Sequence, residues 1–222
     1  MLERARSNGI EKIICIGTNH EDSLAARDFA SLHDGVYWTY GIHPENSKEI
    51  DYGMIRKSYN QSPIAIGEVG LDYHYEGYNR EAQIRLFEEM LQLAVDNDLP
   101  LSFHVREAFD DFFPVVANFP GIRGVVHSFS DNKKNLKRIL NETEFYVGVN
   151  GMATYSTLPT PPLERILLET DAPFLTPVPF RGIINECAYI RNIAEWLAAK
   201  LSIPFDVIEE ATTQNAEQLF KF

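Results

Sequence analysis

Short apolar runs alternate with longer amphipathic stretches along almost the whole chain. The apolar runs begin near residues 13, 36, 64, 101, 124, 145 and 166, and each stops at glycine, histidine, asparagine or an acid. Such runs read as buried strands. Between them, apolar positions recur at helical spacing over residues 21–32, 51–60, 80–97, 108–118 and 133–140. The 80–97 stretch is the longest, with Ile84, Phe87, Leu91 and Ala94 on one face. Further helices are predicted over 185–200, 205–212 and 214–220, and a helix end over 2–8, closed by Asn8-Gly9. Between residues 152 and 163, Pro159, Pro161 and Pro162 exclude a regular helix. Strands alternating with helices predict a parallel sheet and an α/β fold. Seven strands, no repeat and no linker predict a single domain over 1–222. An eight-stranded barrel of the (β/α)8 kind would be one strand short at the N-terminus.

The stretch Pro63-Ile64-Ala65-Ile66-Gly67-Glu68-Val69-Gly70-Leu71-Asp72-Tyr73 holds the most informative acid. Its apolar run is expected to end at Gly67, leaving Glu68 at the strand end. A carboxylate there is costly unless paired. It is either a solvated turn acid or the partner of something positive, such as a metal ion.

The same placement recurs. His43, His104, His127 and Asp171 also fall at or just past predicted strand ends. In a barrel those ends share one rim, where active sites are built. Taken singly, a histidine after a strand is more often a capped or hydrogen-bonded loop residue, and Asp171 reads as a turn starter before Ala172-Pro173. Together, imidazoles and carboxylates are the donor set of Zn²⁺, Mn²⁺ and related divalent ions. Two such ions can hold an attacking hydroxide and stabilise a phosphodiester's leaving oxygen.

Composition narrows the partners. The 222 residues carry a formal charge of −12, with 45% hydrophobic residues. Such a surface repels polyanions at long range, against a passive nucleic-acid binder but not against an enzyme gripping phosphate through metal ions. Cys15 sits in an apolar run and neither it nor Cys187 forms a CxxC pair, so no disulfide framework is expected. No apolar run approaches a membrane span, and the charged N-terminus is not a signal peptide. A cytoplasmic setting is expected.

The motifs Gly41-Ile42-His43-Pro44, residues 66–73, Phe103-His104-Val105-Arg106-Glu107-Ala108, Val126-His127-Ser128-Phe129-Ser130 and residues 168–175 resemble those of the TatD-type metal-dependent deoxyribonucleases. Arg181-Gly182 and residues 211–216 extend the resemblance over nearly the whole chain. It implies a TIM-barrel hydrolase with up to two divalent ions per chain: Mg, Mn or Zn. Glu68 would bridge the ions, and His104 and His127 would complete one site. Asp171 would bind the other ion and orient or deprotonate the attacking water, so that Glu68 and Asp171 carry the catalysis. His43 and Arg106 would contact the substrate phosphate. The implied reaction is hydrolysis of DNA, commonly from the 3′ end of a single strand.

The chain departs from that pattern in one main respect. The family opens with a strand bearing Asp-x-His-x-His, and residues 1–222 contain no such motif. One metal site would then keep only Glu68 and Asp171, which suits Mg²⁺ better than Zn²⁺. The expectation is weak or absent turnover for this chain as written. Two rivals follow: a remnant acting through binding, and a hydrolase of small esters or amides on the same fold. The Pro-rich stretch near 159–162 also replaces a family helix, and Ile183-Ile184 stands where the family usually has basic and polar residues.

Overall fold

The computed structural model describes residues 1–48, 50, 53, 55 and 62–222. In chain order the helices and strands are α1 (Leu2–Ser7), β1 (Ile13–Cys15), α2 (His20–Ser31), β2 (Val36–Tyr40), β3 (Ala65–Asp72), α3 (Arg80–Asp96), β4 (Leu101–Arg106), α4 (Phe109–Val116), β5 (Gly124–Val126), α5 (Lys133–Glu142), β6 (Tyr146–Val149), β7 (Ile166–Leu168), α6 (Ile190–Leu201) and α7 (Phe205–Phe220). The helix expected over 51–60 falls largely outside the described residues. Two compact units are present, Lys12–Val126 and Met1–Glu11 with His127–Phe222.

In the unit Lys12–Val126, β1 to β5 pair in parallel and in sequence order. Alternation of strand and helix leads to this arrangement because each parallel pair needs a crossover. Helix α3 buries Leu86, Phe87, Met90 and Leu91 completely or nearly so. Phe87, Phe103 and Phe112 meet beneath β4, with ring centroids 5.3–6.1 Å apart. Gln83 of α3 clamps the end of β3. Its Oε1 accepts the Asp72 N–H at 2.8 Å, and its Nε2 donates to the Asp72 carbonyl at 2.8 Å.

Two strands run further than the sequence suggests, and this changes where the chemistry sits. Strand β3 does not stop at Gly67 but continues through Glu68 to Asp72, and β4 runs through His104 to Arg106. Glu68 and His104 therefore lie inside strands, whereas His43, His127 and Asp171 follow strand ends. The extension is carried by a bulge: the β3–β4 register shifts between Ile66 and Val69. There the Glu68 N–H leaves the ladder and donates to the Gly17 carbonyl at 2.7 Å. A bulge re-aims one side chain without ending the strand. Gly41 makes room for it, because a Cβ at 41 would lie 2.1 Å from the Gly67 carbonyl carbon.

In the other unit, β6 and β7 pair in parallel, Val147 opposite Ile166 and Val149 opposite Leu168. Their apolar residues pack with Ile193, Leu197 and Ile208 of the closing helices. The two last helices expected from the sequence form one continuous helix, α7. The polar run Thr212-Thr213-Gln214-Asn215 does not break it. Thr212 donates its hydroxyl to the Ile208 carbonyl at 2.8 Å, and Asn215 spans to the Leu163 and Ile166 carbonyls at 2.9 and 2.8 Å. The helix expected from residue 185 begins instead as a short 3-10 turn at Cys187 and becomes regular at Ile190. Asn185 is buried and bonds the Phe174 carbonyl through Nδ2 at 2.6 Å. As expected, residues 152–163 hold no regular α-helix; only 3-10 turns stand at the ends of that stretch, Gly151–Thr154 and Leu163–Arg165.

Candidate metal centre

Each unit carries a histidine held between two carboxylates. In the unit Lys12–Val126 this is His104. Its Nδ1 lies 2.8 Å from Glu68 Oε1, and its Nε2 lies 2.9 Å from Asp72 Oδ2. The Asp72 side chain is 2% exposed, and its Oδ1 also accepts the His74 N–H at 2.9 Å. Asp72 is fixed further by the Gln83 clamp on its backbone. A buried carboxylate of this kind keeps a hydrogen on Nε2, so a cation that displaced the Nδ1 proton would meet that nitrogen's electron pair beside Glu68. The β3–β4 register places Asp72 opposite Arg106 and Gly70 opposite His104. Gly70 has no side chain to collide there, since its Cβ would fall 2.0 Å from the His104 carbonyl oxygen.

His43 completes this group. The Nδ/Nε and carboxylate atoms that His43, Glu68 and His104 can offer lie within 4.8 Å of one another. That spread and that donor set fit a divalent cation. The His43 ring meets the His104 ring edge-on at 4.3 Å. The His43 Nδ1 accepts the Glu45 N–H at 3.3 Å, so in the neutral ring Nε2 carries the hydrogen and His43 stands in the group as a donor beside the ligating pair Glu68 and His104.

The two imidazoles titrate in opposite directions. Burial lowers the His43 pKa, and the neighbouring His104 charge lowers it further. Burial also works against a charged His104, but the Asp72 and Glu68 carboxylates outweigh it and raise its pKa to about 9. Without a cation, then, His104 carries the positive charge of the cluster and His43 stays neutral. Burial opposes ionisation of Asp72, yet its bond to His104 holds the carboxyl below its ordinary value.

In the second unit the corresponding histidine is His127, directly after β5. Its Nδ1 lies 2.9 Å from Glu169 Oε2 and its Nε2 3.2 Å from Asp171 Oδ1. Glu169 is the inner carboxylate: its Oε1 also accepts the Ser128 N–H at 2.6 Å. Gly148 makes space for it, because a Cβ there would approach the carboxylate to 2.5 Å. Ser128 holds a left-handed backbone, φ 49°, and its hydroxyl accepts Asn150 Nδ2 at 2.7 Å. Asp171 is the more open acid, 33% exposed against 17% for Glu169. The logic of the first cluster repeats, with an inner acid orienting the ring through one nitrogen and an outer acid beside the other.

Of the residues singled out in the sequence, Glu68, His104 and His43 converge in one cluster, and His127 and Asp171 meet in the other. Arg106 ends β4, its backbone carbonyl accepting the Tyr73 N–H at 3.0 Å. Sequence reasoning missed the two inner acids, Asp72 and Glu169. Both stand inside motifs quoted above, each one residue past an apolar Leu. An acid at an otherwise buried position was the signal that could have found them.

The TatD related DNase family model matches residues 1–221. The chain belongs to this family. Among its relatives are an uncharacterized metal-dependent hydrolase, YabD, of Bacillus subtilis and a protein named 3′-5′ ssDNA/RNA exonuclease TatD from a Pantoea species. The first is 31% identical over 234 residues, covering 100% of this chain and 91% of the relative. The second is 31% identical over 240 residues, covering 100% and 92%. The crystal structure of YjjV, a TatD homologue of Escherichia coli K12, matches with a TM-score of 0.89 at 28% identity, over 100% of this chain and 90% of the other. The fold class is that of the TatD-like TIM barrels, and the seven parallel strands among the described residues are consistent with that plan less its first strand. TatD family membership makes the chain a metal-dependent hydrolase acting on ester bonds. Among the described residues no helix is long and apolar enough to cross a membrane.

Proposed function

We propose that the chain hydrolyses phosphodiester bonds of single-stranded DNA, removing nucleotides from the 3′ end. The observation that carries this reading is the convergence of His43, Glu68 and His104 with the far nitrogen of His104 tied to Asp72. The relative named as a 3′-5′ ssDNA/RNA exonuclease supports the substrate class. Glu68 and His104 would hold a divalent ion in the first cluster, and His127 and Asp171 would offer ligand atoms in the second. Such an ion, when bound, polarises the phosphoryl oxygen and lowers the pKa of water to near neutrality.

The chain's own groups supply the rest. Asp72 and Glu169 hold the two imidazoles in the tautomer that leaves a lone pair available. In its own cluster Asp171, the more open carboxylate, would take the proton of an attacking water, the role that the family resemblance implies for it. The neutral His43 offers an Nε2–H donor to a phosphate oxygen, and the Arg106 guanidinium offers a fixed positive charge.

The test is hydrolysis of end-labelled single-stranded DNA, duplex DNA and RNA in parallel with p-nitrophenyl esters, in Mg²⁺, Mn²⁺ or Zn²⁺. Stepwise shortening of single-stranded DNA from the 3′ end is expected, at the weak rate that a site without the Asp-x-His-x-His ligands allows. Turnover of the small esters alone would replace the nucleic-acid reading with that of a general esterase.

A further inference from the structure

We propose that the loop leaving β3 is a binding site for unpaired nucleobases, with the rings of Tyr75 and Tyr78 as stacking faces and Arg106 as the adjoining phosphate contact. The proposal rests on the nucleic-acid reading above and says how the strand is held next to the scissile bond. Tyr75 and Tyr78 are 53% and 44% exposed. Both stand on the short segment that starts directly after Asp72, the partner of His104.

Neither ring is free to wander. Tyr78 stacks on Tyr73 with centroids 4.6 Å apart and planes 13° from parallel. Tyr73 is anchored in turn, its hydroxyl donating to Asp111 Oδ2 at 2.8 Å, and Arg80 Nε donates to the same oxygen at 2.6 Å. The stack therefore presents the outer face of Tyr78 to solvent in a fixed orientation. Tyr75 is held by His74, which meets it edge-on at 5.1 Å and is itself tied to Glu107 at 2.6 Å. The Arg106 guanidinium lies 5.3 Å from the Tyr75 ring centre, with Nη1 3.4 Å from its hydroxyl. A turn closed by the Tyr78 N–H on the Tyr75 carbonyl, with Gly77 at φ 78°, fixes the two tyrosines relative to each other.

Two physical points favour a base as the occupant. A chain of net charge −12 gains little long-range attraction for a polyanion, so contacts other than charge must contribute to strand affinity. Aromatic stacking does so without regard to sequence, because every base has a π-face. Rings already locked in place lose little freedom when a base covers them. An arginine beside the ring then meets the phosphate attached to the stacked nucleotide.

The test uses the metal-loaded chain and a phosphorothioate oligonucleotide in which 2-aminopurine is walked along the single strand. Quenching of 2-aminopurine is expected at the positions that reach the loop. Tyr75→Ala should weaken binding by about tenfold, within the range for loss of one stacked base, and should abolish that quenching. Tyr75→Phe, which keeps the ring, should restore the quenching lost in Tyr75→Ala. The preference of the wild-type chain for a base-bearing over an abasic nucleotide at that position should collapse in Tyr75→Ala. Quenching that Tyr75→Ala does not change, or no quenching in a chain that does hydrolyse oligonucleotides, overturns the stacking site alone. Absence of both quenching and hydrolysis overturns the nucleic-acid reading as well.

Discussion

Replacing Asp72 by Asn leaves the shape of the site intact and removes the charge that orients His104. The wild-type contact is a 2.9 Å bond from His104 Nε2 to a carboxylate that is 2% exposed. In the chelated chain the two carboxylates raise His104 from 6.5 to about 9 against its burial, and a shift of that size corresponds to roughly 3 kcal/mol. The sign follows from linkage. A raised pKa contributes stability in full below the unfolded value and loses it as pH rises through the folded value. The wild-type chain should therefore be more stable at pH 6 than at pH 10 on account of His104. Asp72→Asn should therefore cost more at pH 6 than at pH 10, by up to the roughly 3 kcal/mol of the whole shift. Urea denaturation in chelator at the two pH values reads this difference, and imidazole NMR reads the titration itself. An equal cost at both pH values, or an Asp72→Asn variant in which His104 still titrates near 9, would refute the assignment of Asp72 as its partner.

Other consequences can be checked separately. Gly41→Ala puts a Cβ 2.1 Å from the Gly67 carbonyl carbon, so the bulge that aims Glu68 must shift, and a loss of about 2–3 kcal/mol in thermal or urea unfolding is expected. Wild-type stability in that variant would mean that the close approach is not needed. Glu169→Gln removes the carboxylate charge 2.9 Å from His127 Nδ1 and leaves Asp171 on the other nitrogen, and calorimetry should find metal affinity lower by about 10–100-fold, with the fold retained. Unchanged affinity would remove Glu169 from the site.

Much of the fold was legible because strand–helix alternation is a strong periodic signal. Strand β5 falls where its three apolar residues predict, and α3 ends within a residue of the expected position. The end of β3 was not legible. Gly67 and Gly70 look like the punctuation of a turn, but they are there for close approach: a Cβ at 67 would lie 2.6 Å from the Ser102 side chain, and one at 70 would strike His104. Spacing along one chain does not reveal what approaches from the next strand. The helix α7 was split for a related reason, since the partners of Thr212 and Asn215 are distant carbonyls or the turn below. At the site, the outer residues Glu68, His104, His127 and Asp171 stood out because imidazoles and acids at strand ends are costly unless used. The inner acids Asp72 and Glu169 did not, because their roles are set by a histidine more than 30 residues away in sequence. The aromatic loop over 73–78 showed no periodicity at all, and only the stacking geometry gives it meaning.

The most direct measurement compares the wild-type chain with Glu68→Gln on a single-stranded DNA oligonucleotide labelled at its 5′ end, with Mg²⁺ or Mn²⁺ and with chelator. The expected result is a ladder shortened from the 3′ end in the wild type, abolished by chelator and reduced on the order of a hundredfold or more in Glu68→Gln. A ladder that survives chelation, or one of equal strength in Glu68→Gln, would contradict a metal-assisted reaction at the His43, Glu68 and His104 cluster.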